Sequence, residues 1–450
     1  MYKNIYFIGI GGIGMSAIAR YYNVKGFNVS GYDKTPSPLT HALEAEGIKV
    51  HYTDDISYIP GDIEDTLVVY TPAIPHDMGE LVYVQEKGYR VIKRSRMLGE
   101  IAQGQRCMAV AGTHGKTTTS TLVSHLFTDS GEGCSAFLGG ISKNYGSNLL
   151  VHENDVIVAE ADEFDRSFLQ LFPEIAVITS MDADHLDIYG DEAHIREAFK
   201  AFASQVSGTV IVKHGLDITA EDTKAKIMTY GYDAPEADFY AEPLDCGHFN
   251  LHYPGGVIED CIVGIPGWVN IENGVAASAI ALTYGIDHEK IKAALACFGG
   301  VKRRFDMQIN LDGLVYIDDY AHHPNEIAAA ISSIRERYPE YRYTAIFQPH
   351  LYTRTRDFAD EFAAALSNVD NLVLLDIYPA REEPIPGVTS EIIFKDVTAP
   401  EKVLIRKDEV EDFISGVQLS GKDVFMTLGA GDIDRLTGRI AEILTEKHNR

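Results

Sequence analysis

The chain has 450 residues, 45% of them hydrophobic and 23% charged, the composition of a globular enzyme of about three domains. Its formal net charge of −27, from 39 basic and 66 acidic residues, argues against a duplex nucleic-acid partner, which would need a basic face. Anionic small molecules stay open to it, held by local Arg, Lys, magnesium and helix N-termini.

No run approaches the roughly 18 apolar residues of a membrane span, so no membrane insertion is expected, and the opening MYKNIYFIGIGGIG lacks a secretory cleavage site. The five cysteines, Cys107, Cys134, Cys246, Cys261 and Cys297, form no CxxC pair. They read as reduced core thiols in a cytoplasm, with neither zinc nor a disulfide framework implied.

In chain order, residues 3–8 read as a short apolar strand, followed by Gly9, Gly11, Gly12 and Gly14 in a GxGxxG turn and then by a helical stretch. Strand, glycine turn, helix is the order of a Rossmann-like unit. The next strand runs into Asp33, an acid placed to meet a ribose hydroxyl. Further strands at 66–71 and 89–93 complete a first domain over 1–106.

Residues 107–119, CMAVAGTHGKTTT, are a strand feeding a phosphate-cradling loop made of Gly112, Thr113, His114, Gly115, Lys116, Thr117 and Thr118. The two glycines let backbone N–H groups close around anionic oxygens, Lys116 supplies a point charge, and the next helix adds its positive end. The hydroxyl of Thr117 suits magnesium. Val110 stands where the first glycine of GxxxxGK[ST] would be, so the loop is shorter than that form.

The central segment, 107–303, alternates apolar strands with helices, which predicts a mostly parallel sheet. Short pieces broken by Gly, Pro and Asp over 225–263 predict a small antiparallel appendage. Glu160 closes a buried strand, where a carboxylate can take magnesium, and Asp162, Glu163 and Asp165 crowd the same turn. Asp182, Asp184, His185 and Asp187 end the following strand, with His185 suited to a second metal. Asn270 and Asn273 share a helix face, where an amide can read an adenine edge.

Lys302, Arg303 and Arg304 form a basic hinge that could clamp a transferring phosphate. Beyond it the strand–helix pattern resets into a third α/β domain, 304–450. Asp318, Asp319, Tyr320, His322 and His323 sit at one strand end there, where ligands of open α/β sheets bind. Adjacent histidines diverge, so at most one of the pair faces a substrate. His350, Arg354 and Arg356 follow another strand and suit an acidic group.

The ordered set GIGGIGMSAIA, GTHGKTTT, EADEFDRSFL, DADHLDIYG, DDYAHHPNEI, FQPHLYTRTRDF and DIYPAREEPIPGVTS resembles the ATP-dependent Mur ligase family over essentially the whole chain. The resemblance implies three α/β domains: an N-terminal Rossmann-like domain for a UDP-sugar, a central P-loop ATPase-like domain, and a C-terminal Rossmann-like domain that closes over ATP and an amino acid. It also implies a cytoplasmic step of peptidoglycan synthesis, in which ATP, L-alanine and UDP-N-acetylmuramate give UDP-N-acetylmuramoyl-L-alanine, ADP and phosphate through an acyl phosphate.

By the same resemblance, the GxGxxG turn holds the UDP diphosphate, Lys116 contacts ATP phosphates, Thr117 and Glu160 bind Mg2+, and His185 serves a second metal. Asn273 faces adenine, Arg304 and Asp319 close from the hinge and third domain, and Tyr320, His322, His350 and Arg354 hold the lactyl group or the amino acid. His322 and His350 are both candidates for the general base.

The sequence departs from the family at Val269, which precedes Asn270 where the family often shows His-Asn before the second asparagine, and at Leu351, where an arginine is common. Lys200 lies near a position that is carbamoylated in some relatives; on its helical stretch it reads as a solvated side chain. Monomer and homodimer are both open. Rival readings are a ligase that attaches a recycled tripeptide to the same UDP-sugar, a dinucleotide-dependent oxidoreductase, and a nucleotide-switched binding module.

Overall fold

The strands at the centre of each sheet are apolar on both faces, as strands covered by helices on two sides must be: Arg106–Ala111 and Asp423–Leu428 are buried almost throughout. The computed structural model describes residues 2–182, 189, 191–380 and 382–450. By packing, these fall into two compact units, one formed by the chain up to Val263 together with Glu272–Gly299, the other by Gly264–Ile271 with Gly300–Arg450.

The first unit holds two sheets. Strands Asn4–Ile8, Asn28–Tyr32, Lys49–His51, Thr66–Tyr70 and Arg90–Lys93 form a five-stranded parallel sheet in the order 3-2-1-4-5. That is the doubly wound arrangement expected from the glycine turn. One apolar cluster continues from this sheet, through Phe7 and Ile18, into the second, through Ala109, Ile157 and Phe199.

The second sheet has ten strands. Arg106–Ala111 lies between Val156–Ala161 and Ile175–Ile178, parallel to both. The strands anticipated over 225–263 are present, and the last of them pair antiparallel. They prolong the edge of the central sheet rather than standing apart from it, because Lys226–Tyr232 and Phe239–Pro243 continue its parallel ladder.

The helix Lys116–Asp129 is buried along nearly its whole length despite its Ser and Thr content. Thr121, Ser124 and Thr128 each donate to the carbonyl four residues back, at 2.7, 2.7 and 2.8 Å, which satisfies hydroxyls that would otherwise be costly to bury.

In the second unit, six strands form a sheet that is parallel except for the edge hairpin Asp306–Leu311 with Leu314–Asp319. The helix Pro324–Arg337 begins with a capping box, in which Asn325 N–H donates to His323 Nδ1 at 3.3 Å and His323 N–H donates to Glu326 at 3.2 Å. Among the described residues no helix is long and apolar enough to cross a membrane.

Candidate active site

The phosphate loop turns where only glycine fits. Gly112 has φ 140°, and a Cβ on it would stand 2.0 Å from Thr179 Oγ1; Gly115 has φ 79°, and a Cβ there would stand 2.9 Å from Asn273 Oδ1. The loop is braced by the end of the neighbouring strand. Thr113 Oγ1 lies 2.8 Å from Ser180 Oγ, His114 N–H donates to the same hydroxyl at 2.8 Å, and Thr179 bonds the carbonyls of Ala111 and His114. Asp182 donates its N–H to Thr113 and pairs through its carboxylate with His114 Nε2 at 3.1 Å.

Lys116 opens the helix, and its ammonium donates to Gly112 O at 2.6 Å and to Glu163 at 2.7 and 3.0 Å. The two side chains are only 13% and 3% exposed. Burial pulls the ammonium pKa down, but the fields of Glu163, Asp162 and Glu160 outweigh it, and the pKa is raised. The lysine therefore stays charged.

Beside it, Thr117 Oγ1 donates to Glu160 Oε1 at 3.0 Å, while Glu160 Oε2 accepts from Gly139 N–H at 3.0 Å and Ser120 Oγ at 3.4 Å. A hydroxyl and a carboxylate fixed side by side at a phosphate loop are the hard oxygen donors that magnesium takes, so these residues fit the ion. Asn273 is buried and its Oδ1 accepts from Thr119 at 3.2 Å. Asn270 does not join it: its amide donates to Pro266 O at 2.6 Å, a local cap.

Of the acidic turn, Asp162 pairs with Arg94 at 3.0 Å and Asp165 with Lys93 at 2.6 Å, which ties the turn to the first sheet. Asp184, His185 and Asp187 lie outside the described residues. Lys200 pairs at the surface with Asp217 at 3.1 Å and Asp222 at 3.5 Å.

In the N-terminal glycine turn Gly9 has φ 88°, Gly12 precedes the helix Ile13–Val24, and a Cβ on Gly14 would press Arg94 at 2.8 Å. The carboxylate of Asp33 accepts from Gly11 N–H at 2.8 Å and from Thr35 N–H at 3.1 Å, so it braces the turn.

The second unit gathers a separate set at the carboxyl ends of its parallel strands. Arg304 lies over the Tyr320 ring, 4.6 Å from its centroid. Arg303 is instead used internally, donating to Gly429 O at 2.7 Å and pairing with Asp318 and Asp434, both at 3.4 Å. Asp319 accepts from Phe305 N–H at 2.8 Å and Ala321 N–H at 2.7 Å. Desolvation pushes its carboxyl up to about 6, against the pull of Arg304.

His322 stands edge-on to Tyr320 at 5.2 Å and to His350 at 6.0 Å, and its Nδ1 is 3.0 Å from Tyr320 O. His323 is buried and caps its helix, as divergence of the pair requires. His350 stacks on Tyr378 at 5.8 Å. Arg354 is buried and Arg356 is an exposed partner of Asp357. Leu351, where the family favours arginine, has φ 71°.

Three profiles cover nearly all of the chain: the Mur ligase family catalytic domain over residues 4–106, the Mur ligase middle domain over 110–281, and the Mur ligase glutamate ligase domain over 303–431. The chain belongs to the Mur ligase family. It is 49% identical to a UDP-N-acetylmuramate–L-alanine ligase of Porphyromonas gingivalis, over 98% of this chain and 99% of that one. It is 50% identical to the enzyme of the same name from Parabacteroides distasonis, over 98% and 97%.

Among solved structures, the UDP-N-acetylmuramate-alanine ligase of Thermotoga maritima superposes with a TM-score of 0.83 at 26% identity, covering 98% of this chain and 99% of that one. A murein peptide ligase of Psychrobacter arcticus shares the fold, with a TM-score of 0.71 at 22% identity over 98% of each chain.

Two features of this Mur ligase site go beyond the roles read from sequence. Glu163 is the direct partner of Lys116, and the crowding of acids in its turn was the available signal. Thr179 and Ser180 brace the loop from a neighbouring strand, which nothing local in the sequence announces. The expectation that all the cysteines are core thiols is corrected: Cys107, Cys134 and Cys261 are buried, but Cys246 and Cys297 are exposed.

Proposed function

We propose that this chain is the cytoplasmic, ATP-dependent ligase that joins L-alanine to the lactyl carboxylate of UDP-N-acetylmuramate, with ADP and phosphate as the other products. The observation that carries this reading is the convergence of Lys116, Thr117 and Glu160 on one phosphate loop, in a chain half identical to such ligases along its length. Residues 1–106 take the UDP-sugar, 107–303 take ATP, and 304–450 bring in the amino acid.

A carboxylate is a poor electrophile, and phosphorylation gives it a leaving group. Thr117 and Glu160 would hold a magnesium ion, with His185 toward a second, and bound magnesium neutralises charge on the phosphoryl group that moves. Lys116, kept charged by Glu163, contributes the same kind of stabilisation from the protein. Asn273 reads the adenine edge, and Arg304 and Asp319 act from the second unit.

Attack on the acyl phosphate needs an unprotonated amine. His322 is the better base: its Nδ1 faces the Tyr320 carbonyl at 3.0 Å and the Glu326 carboxylate at 3.3 Å. Two acceptors there hold the proton on Nδ1 and leave the lone pair on Nε2. His350, Tyr320 and Arg354 orient the carboxylates of the two substrates.

The test is phosphate release from ATP in the presence of UDP-N-acetylmuramate, with L-alanine or the recycled tripeptide added separately. ADP and phosphate formed only with L-alanine support the assignment. Release only with the tripeptide transfers the chain to the recycling ligase, and AMP as product overturns the acyl-phosphate route.

A further inference from the structure

His125 and Asp129 stand one turn apart on the same face of the helix Lys116–Asp129, and Cys297 is the C-cap of the helix His288–Ala296. One ligand atom from each lies within 4.8 Å of the other two. His125 Nε2 is 3.3 Å from Cys297 Sγ. A sulfur and a nitrogen on one tetrahedral zinc, bound at about 2.3 and 2.0–2.1 Å, are separated by about 3.5 Å, so the pair already has that spacing.

The second ring nitrogen is equally well placed. His125 Nδ1 lies 2.9 Å from the Tyr145 hydroxyl, the kind of outer partner that fixes the tautomer of a ligating imidazole. The ring is 3% exposed and held against Tyr145 and Phe298. Asp129 and Cys297 are exposed, which gives an ion an entry path and leaves water a fourth position. Nε2–H now donates to Ala294 O at 3.0 Å; a metal would replace that bond, the single ring proton moving to Nδ1, where the Tyr145 oxygen can accept it.

We propose that His125, Asp129 and Cys297 form a zinc site that staples the last turn of the phosphate-loop helix to the end of the helix His288–Ala296. The donor set of thiolate, imidazole and carboxylate selects zinc over magnesium, which prefers all-oxygen sites such as Thr117 with Glu160. Binding exchanges the Cys297 thiol proton for the ion and releases that proton to solvent, so affinity rises with pH. The site is independent of the ligase reading, since it is read by metal binding without substrates.

Cobalt(II) is the probe, titrated into the reduced full chain with excess magnesium. The expected result is one equivalent bound with a thiolate-to-metal charge-transfer absorption in the near ultraviolet, displaced by zinc. Cys297→Ser abolishes the band, Asp129→Asn weakens binding at least tenfold, and Cys246→Ser, which removes the other exposed thiol, leaves it unchanged. Zinc raises the melting midpoint of the wild-type chain but not of Cys297→Ser, and the exposed Cys297 and Asp129 variants keep their turnover. Absence of the thiolate band, its persistence in Cys297→Ser, or its loss in Cys246→Ser overturns the proposal.

Discussion

The buried pair Lys116–Glu163 makes a prediction that separates charge coupling from simple loop chemistry. Breaking a buried ion pair by removing one partner costs about 3–5 kcal/mol, because the other charge is left desolvated and alone. Glu163→Gln keeps an acceptor oxygen, and Lys116 keeps its 2.6 Å bond to Gly112 O, so its cost lies at the low end, about 3 kcal/mol. Lys116→Met strands a carboxylate that is 3% exposed and costs at least as much. The double variant removes both charges, so it falls short of the sum of the singles by about 2–3 kcal/mol.

Because the Lys116 pKa is raised on folding, its contribution is fully present below the unfolded value of 10.5 and is lost only as pH rises through the folded value. Measurements at pH 7.5 therefore report the intact pair. Urea unfolding of all four proteins, followed by far-ultraviolet circular dichroism, gives the cycle. Additivity within about 0.5 kcal/mol would refute the coupling. Lys116→Met also abolishes ADP formation.

Gly112→Ala combines a φ of 140° with a Cβ 2.0 Å from Thr179 Oγ1; strain and overpacking together cost about 3 kcal/mol or more, and both thermal midpoint and ATP turnover fall. Glu160→Gln keeps the size of the side chain but removes the charged oxygen donor, so it raises the magnesium concentration needed for half-maximal turnover; an unchanged magnesium dependence would remove Glu160 from the metal site. Asp319 has a folded pKa of about 6, above its ordinary 3.8, so between those values the folded state holds a proton that the unfolded state has released. Stability therefore falls as pH rises through that window, and Asp319→Asn loses that slope in a pH series of melting midpoints. His322→Gln lowers kcat by about 10²–10⁴-fold; the same loss in His350→Gln with His322→Gln near normal would reverse the assignment.

Local order was enough for much of this protein. Strand, glycine turn and helix at 3–24, and strand, GTHGKTT and helix at 106–129, are runs in which the residue requirements of the backbone are met by neighbours in sequence, and both form as written. Glu160 at a strand end likewise follows from position along one element, whereas the capping role of His323 came only with the fold. Partnership across elements is different, because it depends on which strands lie side by side. Ser180 meets His114 and Glu163 meets Lys116 because the strands before them flank Arg106–Ala111. Asn270 and Asn273 look equivalent on a helical face, yet one caps locally and the other reaches the phosphate loop. The cysteines make the sharpest contrast. Their spacing gives no metal signature, whereas folding brings Cys297 to 3.3 Å from His125 across 172 residues of chain, since a helix end packed on another helix sets that distance and no sequence interval encodes it.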